Sequence, residues 1–476
     1  MMPSAYDINT ALTAAFVVTQ VLWLLSFLIE IYIFRLPTNI VDMTGVDEMP
    51  EAAMPPIVVF YPVLDELEST MHTTFRALSQ VIYPRDKLRV IAIPNDNDHA
   101  TIASLERLRA EFSFLEILPI PPTSDHSWDL VWHNWQANDH VYWWHRGPRA
   151  GVRDLPPKKT RQLIYAFYRV AEANRGGPDF LVNYIDADSC PQHNHFRAAA
   201  MGIQHYDVLQ ASNIAGNLND TMAASFHAFD HMTWDGRKYA HFTADGTQPY
   251  WMLGKGLYYK ASDLLELGGF HPWITIEDPE VGLRLWKNGR RLGFIEEPLI
   301  EEVPRTFAHG ITQRKRWVAG FFQTLDVPLK ELGFTQLERA KAWLLFLPCL
   351  SYLIAPIGIP VGIWAMVRLI EGTSPIPTWT MLVSVGNAVA YLISLFILYR
   401  TVWERTDAVL ERKIDRVRYL LRCNPFNLMV WGLIWVIPII IGWRMFLHDG
   451  GLVWERTVKV NANEQLIMDK SENHTL

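Results

Sequence analysis

Three stretches of the 476-residue sequence carry side chains whose types and spacing suit chemistry on a phosphorylated molecule. Asp186-Ala187-Asp188 follows the run Leu181-Val182-Asn183-Tyr184-Ile185. Alternate residues along a strand point to one face, so these two carboxylates converge on a common spot. Paired hard oxygens suit Mg²⁺ or Mn²⁺, which bridges a diphosphate and neutralises charge as it leaves. The pair is weak evidence alone, because turns after strands favour Asp anyway. Glu277-Asp278-Pro279 opens a helical stretch that Asn288-Gly289 closes. Asp before Pro reads as a helix cap or as a general base. Both roles hold if the helix start faces a pocket, although capping hydrogen bonds lower an Asp pKa and weaken it as a base. Gln313-Arg314-Lys315-Arg316-Trp317, followed by Gly320, stands just before an apolar run. It reads as a basic helix at a membrane surface, or as Gln and Arg donors for phosphate beside a Trp that stacks on a ring.

The elements that must position these residues alternate strand-like and helix-like patterns, which predicts an α/β domain with a largely parallel sheet. Ile57–Tyr61, Leu88–Ile93, Leu115–Ile120 and Phe180–Ile185 read as strands, with helices over 69–81, 100–112 and 161–173. Ligands of such sheets bind beyond the carboxyl ends of strands. Asp96, Asp98, Asp186 and Asp188 all fall there. The stretch Thr123 to Arg153 breaks the rhythm with five Trp and four His residues, and reads as an insertion packed on the domain surface. His227 and His231, at i and i+4, read as a satisfied helix face because no third zinc ligand is in view.

Composition sets the wider frame. With 43 Lys+Arg against 50 Asp+Glu the formal charge is −7, which excludes a global basic field for nucleic acid. The 3 cysteines, Cys190, Cys349 and Cys423, stand too far apart for a disulfide framework or a Cys-only zinc site. Half of the residues are hydrophobic, and the apolar ones gather in long runs. Ala11 to Phe34 is long enough to cross a bilayer core of roughly 30 Å. Ala342 to Ile370, Met381 to Tyr399 and Phe426 to Phe446 follow in the C-terminal third, the first carrying Pro348, Pro356 and Pro360. The connection Arg400 to Arg422 is rich in Arg, whereas Glu371 to Thr378 has no Lys or Arg, so the basic side is expected to be cytosolic. Single crossing of all runs places the N-terminus and the C-terminal tail outside and the middle of the chain inside. The pentapeptide Val-Trp-Glu-Arg-Thr, at 402–406 and again at 453–457, points the other way, to one face for both copies.

Taken together with Asp65-Glu66, Gln80-Val81-Ile82-Tyr83-Pro84, Asp96, Lys159 and Gly254-Lys255-Gly256, the three motifs make most of the chain resemble membrane-embedded family-2 glycosyltransferases. That group includes the cellulose, chitin and hyaluronan synthases and bacterial exopolysaccharide synthases. The resemblance implies a GT-A α/β domain over 36–330, with an interfacial helix near 313–325. This domain is inserted between an N-terminal transmembrane helix, 1–35, and a C-terminal transmembrane region of about three helices, 331–447, with a tail at 448–476. It implies a multi-pass membrane protein whose cytosolic domain takes a UDP- or GDP-linked sugar and Mg²⁺ or Mn²⁺. The product would be a growing β-linked polysaccharide, with two alternatives: single-sugar transfer to a lipid or glycan acceptor, and a non-catalytic membrane receptor or transporter with a GT-A-like domain. Membrane lipid is the further partner.

By the same resemblance Asp96 and Lys159 contact the nucleotide and its diphosphate, and Asp186 with Asp188 hold the diphosphate and metal. Asp278 is the general base of an inverting transfer. Glu277 lies on the acceptor side, and Gln313, Arg316 and Trp317 line the acceptor and diphosphate end. Pro94-Asn95-Asp96-Asn97-Asp98 departs from the family's usual D-D-G-S form, which leaves Asp98 open as a substitute for Asp96. The choice between Lys158 and Lys159 is likewise open.

Overall fold

The computed structural model describes residues 5–242, 249–343, 354–449 and 459–473. At its centre is a seven-stranded sheet in the order β3-β2-β1-β4-β6-β5-β7. The strands are β1 Ile57–Pro62, β2 Leu88–Ile93, β3 Leu115–Ile117, β4 Leu181–Tyr184, β5 Val208–Ala215, β6 Leu257–Lys260 and β7 Leu292–Glu301. β3, β2, β1 and β4 run parallel, and β6 enters antiparallel between β4 and β5. β1 is apolar on both faces because both are covered: Val58 and Phe60 join one core cluster, while Ile57, Val59 and Tyr61 join the other.

The sheet register sets the site. Ile57 pairs with Leu88 and with Leu181, so the carboxyl ends of β1, β2 and β4 finish at one edge. Leu257 pairs with Tyr184, which brings the residues just before β6, including Lys255, to that same edge. Ala215 pairs with Glu301 there as well.

The Trp-rich stretch is not surface packing. Trp128, Trp132, Trp135, Trp143 and Trp144 are all buried in the main core. Trp132 stacks on Trp128 at 5.3 Å and on Trp144 at 5.4 Å, and Trp128 meets Tyr165 of the Lys159–Ala173 helix at 5.0 Å. Each indole removes a large apolar area from water, which favours folding inward over lying on the surface.

Among the described residues, three helices are long and apolar enough to cross a membrane: Ile8–Ile33, Trp379–Ala408 and Pro425–His448. The run expected at Ala342 to Ile370 contributes a shorter apolar helix, Ala355–Ile370, and residues 344–353 lie outside the described residues. Polar side chains tie the bundle together. Gln20 meets Ser384 and Asn387, and Glu30 accepts from Ser394 at 2.7 Å and pairs with Lys238 at 3.1 Å. These contacts make the first helix and Trp379–Arg405 run in the same direction. Gly358 sits against Trp23 and Thr19 while Val361 and Ala365 pack on Phe16, so Ala355–Ile370 runs opposite.

The Pro425–Asp449 helix behaves differently. It lies along the Phe307–Leu325 helix: Trp431 packs on Phe307 at 5.9 Å, Gly442 on Val318, and Phe446 on Phe322 at 5.5 Å. Just before it, Cys423 contacts the carbonyl of Ser225. Just after it, Lys459 contacts Asp188. Both flanks therefore touch the sheet domain. The first Val-Trp-Glu-Arg-Thr copy also lies against the domain, with Arg405 donating to the carbonyl of Glu296, and the second copy falls outside the described residues.

Cysteine accessibility checks this arrangement. A membrane-impermeant thiol reagent that labels Pro375→Cys in sealed vesicles should leave Glu411→Cys and Lys470→Cys unmodified until the membrane is opened. Labelling of Lys470→Cys together with Pro375→Cys would place the tail across the membrane from the domain.

Candidate active site

The strand ends open into a cavity of about 390 Å³. Lys158, Lys159, Asp186, Asp188, Glu277, Asp278, Gln313, Arg316 and Trp317 all line it, although they come from four separated parts of the chain. Asp186 and Asp188 stand just beyond β4, in the turn that follows it rather than on an extended strand. Lys159 begins its helix and donates from Nζ to Asp186 Oδ1 and to the Gly254 carbonyl, each at 2.7 Å. Burial lowers the Lys159 ammonium, but Asp186 and Glu277 outweigh it and hold the group above its ordinary range. The same burial works against ionisation of Asp186, and Lys159 and Lys255 overcome it, keeping this carboxyl below the usual value. Lys158 instead donates to the Ile274 carbonyl, and burial brings it down to about 8. Of Lys158 and Lys159, the geometry thus places Lys159 on Asp186.

Asp278 is the first residue of the Asp278–Lys287 helix rather than its cap. Glu277 holds the cap position, with no capping hydrogen bond from its side chain. Gly289 follows in the left-handed conformation that glycine tolerates, which ends the helix as expected. Gly254 lies so near Asp278 that a β-carbon there would come to 3.3 Å from Oδ1, which explains the glycine. Burial, and then the adjacent Glu277, push the Asp278 carboxyl well above its ordinary value, a shift that strengthens it as a proton acceptor. Glu277 accepts from Thr160 Oγ1 at 3.1 Å.

Gln313, Arg316 and Trp317 share one face of the Phe307–Leu325 helix by their i, i+3, i+4 spacing and turn to the cavity. Arg314 turns away. It is fully buried, pairs with Asp230 at 3.0 Å, and lies over the rings of Trp317, Trp431 and Trp435 at 5.3, 5.0 and 5.0 Å. Trp431 and Trp435 donate their indole N–H groups to the same Asp230 oxygen, at 3.0 and 2.9 Å. Gly320 permits close approach to Ile276, and Gln323 accepts from the Thr275 amide at 2.7 Å. The helix is thereby fixed to the loop that carries Glu277 and Asp278.

Asp96 does not reach the cavity lining, and neither does Asp98. Asp98 caps the His99–Glu111 helix through the Thr101 amide and also accepts from the Asp65 amide at 2.9 Å. Asp98 is thus committed to these amides. His227 and His231 are buried on their helix, and no group of three metal-ligating side chains occurs among the described residues. His231 is not satisfied, since its Nε2 has no hydrogen-bond partner among the described residues.

Several lining residues had no role assigned from sequence: Lys255, Asp235, Trp234, Trp251, Trp435 and Lys459. Lys255 pairs with Glu301 across the strand ends, and its place between two glycines was the available signal. Burial brings Asp235 up to about 6. Lys459 had no local signal. Its Nζ donates to Asp188 Oδ2 at 2.5 Å, next to the Glu302 amide on the same oxygen at 2.8 Å. Asp186 and Asp188 both line the cavity and offer hard carboxylate oxygens, a donor set that fits Mg²⁺ or Mn²⁺ with water or a diphosphate supplying the remaining oxygens.

The model of glycosyl transferase family group 2 matches residues 181–403, which contain the aspartate pair, Glu277-Asp278 and Gln313 to Trp317. No curated protein matches the sequence. Among solved structures, the mannosyltransferase PcManGT from Pyrobaculum calidifontis, in complex with GDP-Man and Mn²⁺, is 14% identical with a TM-score of 0.53. The match covers 93% of this chain and 98% of that one. TarS 1–349 of S. aureus is 12% identical over 86% of this chain and 95% of that one, at a TM-score of 0.33. The likeness to PcManGT carries the fold argument: the mixed sheet is a GT-A domain, flanked by one long apolar helix before it and two after it.

The Arg314 site gives a stability prediction. Removing one partner of a buried ion pair strands the other, which costs about 3–5 kcal/mol. Arg314→Ala should therefore lower the unfolding temperature far more than Lys315→Ala, as followed by tryptophan fluorescence in detergent. Equal effects would show that Arg314 does not anchor the helix.

Proposed function

We propose that the chain is a membrane-embedded inverting glycosyltransferase of the family-2 type, acting on a nucleotide-diphospho-sugar with the help of a divalent cation. The carrying observation is the convergence of Lys159, Asp186, Asp188, Asp278, Gln313, Arg316 and Trp317 on one cavity. Helix capping accounts for none of them jointly, and a binding relic would not need them all. The match to the family model and the fold shared with PcManGT support the same reading. Domain limits of 1–35, 36–330, 331–447 and 448–476, a cytosolic GT-A domain and a multi-pass anchor belong to this proposal.

In this mechanism Asp278 removes the proton from an acceptor hydroxyl, whose oxygen attacks the anomeric carbon opposite the diphosphate. The bond from that carbon to the diphosphate oxygen breaks, and its electron pair leaves with the diphosphate. Lys159 and Arg316 stabilise that charge, and Asp96 holds the nucleoside end. Asp186 and Asp188 would hold a divalent cation, which when bound supplies further neutralisation. The raised Asp278 carboxyl keeps the base near its working range, and Glu277 places it beside the acceptor. Trp317, with Trp234, Trp251 and Trp435, offers aromatic faces for sugar rings.

A growing β-linked glycan fits this platform, because an aromatic face binds a ring without fixing its register. Trp435 and Ile439, which reach the cavity from an apolar helix, favour a lipid-linked acceptor as the second reading.

Incubation of the purified protein with UDP- and GDP-sugars, with Mn²⁺ or Mg²⁺ and with chelator, tests the proposal. Transfer should require a cation, and Asp278→Asn should reduce it by about 10²- to 10⁴-fold while nucleotide binding persists. Because the Asp278 carboxyl is raised, the rate should fall with decreasing pH at a point above the ordinary carboxylate range, as the base becomes protonated. Full activity of Asp278→Asn would remove the base assignment. Product sizing separates the acceptor classes: a ladder supports polymer synthesis, and a single added sugar supports transfer to a lipid or short glycan.

A further inference from the structure

The residue on Asp188 comes from the far end of the chain, and it is held there by a built contact. Asn463 is buried against Gly216, Asn461 accepts from Thr73 Oγ1 at 2.9 Å, and Ile467 packs in the cluster of Ala77, Cys190 and Ile300. Glu302 accepts from the amides of Val460 and Ala462 at 3.1 and 2.6 Å. These contacts leave Lys459 one destination, between Asp188 Oδ2 and the carbonyl of Glu302, at 2.5 and 3.2 Å. A tail with only a packing role would not need to aim an ammonium at this carboxylate.

We propose that the C-terminal tail is a latch on the cation site, in which Lys459 and a divalent cation take turns on Asp188. The inference rests on the reading of Asp186 and Asp188 as the cation-binding pair. Before loading, the ammonium neutralises Asp188, as Lys159 neutralises Asp186. A single and a double positive charge on one buried carboxylate repel strongly, by more than the one hydrogen bond retained could offset. Lys459 therefore leaves Asp188 as the cation arrives. Its anchor at Asn463 and Ile467 lies beyond the moving residue, so the tail stays attached while the lysine swings. Docking of the tail lysine and loading of the site are then linked, each weakening the other.

Mn²⁺ titration of the purified full chain, with free Mn²⁺ read by its paramagnetic resonance signal and no nucleotide added, tests the latch. Lys459→Met should bind Mn²⁺ about fivefold tighter or more than the wild type, and Lys459→Arg should stay near it. In an Asp188→Asn background the gain from Lys459→Met should vanish. Thermal unfolding of each variant confirms that it is folded. Equal or weaker Mn²⁺ binding by Lys459→Met overturns the latch, as does the lack of Mn²⁺ binding by any variant. Failure of the wild type to bind any nucleotide sugar would instead defeat the glycosyltransferase reading, and the Mn²⁺ comparison would still judge the latch.

Discussion

Carboxylates crowded around one cavity need partners, and much of the structure is arranged to supply them. A buried charge without a partner is costly, so such groups survive only when paired or hydrogen-bonded. Asp186 is met by Lys159, Asp188 by Lys459 and the Glu302 amide, Glu301 by Lys255, and Glu277 by the Thr160 hydroxyl. These partners arrive on four parts of the chain: one helix start supplies both Lys159 and Thr160, and the others come from the chain tail, the lead into β6 and the residue just past β7. The register that aligns the strand ends is what lets those elements meet. Asp278 has the least compensation, and its raised carboxyl is the consequence.

The Phe307–Leu325 helix joins this charged centre to the apolar part of the molecule. One face presents Gln313, Arg316 and Trp317 to the cavity, while Arg314 on another face locks onto Asp230 inside a cage of indoles. Two of those indoles belong to the Pro425–Asp449 helix, so an element apolar enough for a bilayer is bound to the site through a buried guanidinium. Movement of that helix would disturb Asp230, Arg314 and then Trp317. The side of the cavity lined by Gln313, Arg316 and Trp317 is thus mechanically tied to the apolar helices, whereas the side lined by Asp186 and Asp188 is tied to the sheet.

Local patterns already specified much of this protein. The four parallel strands, the helices between them, the aspartate pair beyond β4 and the one-sided spacing of Gln313, Arg316 and Trp317 are all short-range features. They follow from periodicities of two and of 3.6 residues, which neighbouring residues alone express. The apolar runs were equally legible, because bilayer thickness imposes a length that the sequence must meet. β5, β6 and β7 were not legible, since β6 inserts antiparallel between strands far from it in sequence. The five tryptophans of 128–144 were misread as surface packing because their spacing follows no single helix face; they bury by stacking across several turns.

What only the tertiary structure decided is which charge meets which. Lys159 rather than Lys158 faces Asp186, Asp98 is consumed as a cap, and Asp278 begins a helix that Glu277 precedes. Lys459 reaching Asp188 across 271 positions is the extreme case. The types of residue needed for the chemistry were present in the sequence as motifs. Their pairing was not, because electrostatic partners are chosen by distance in space, and that distance exists only once the sheet register and the helix packing have closed the cavity.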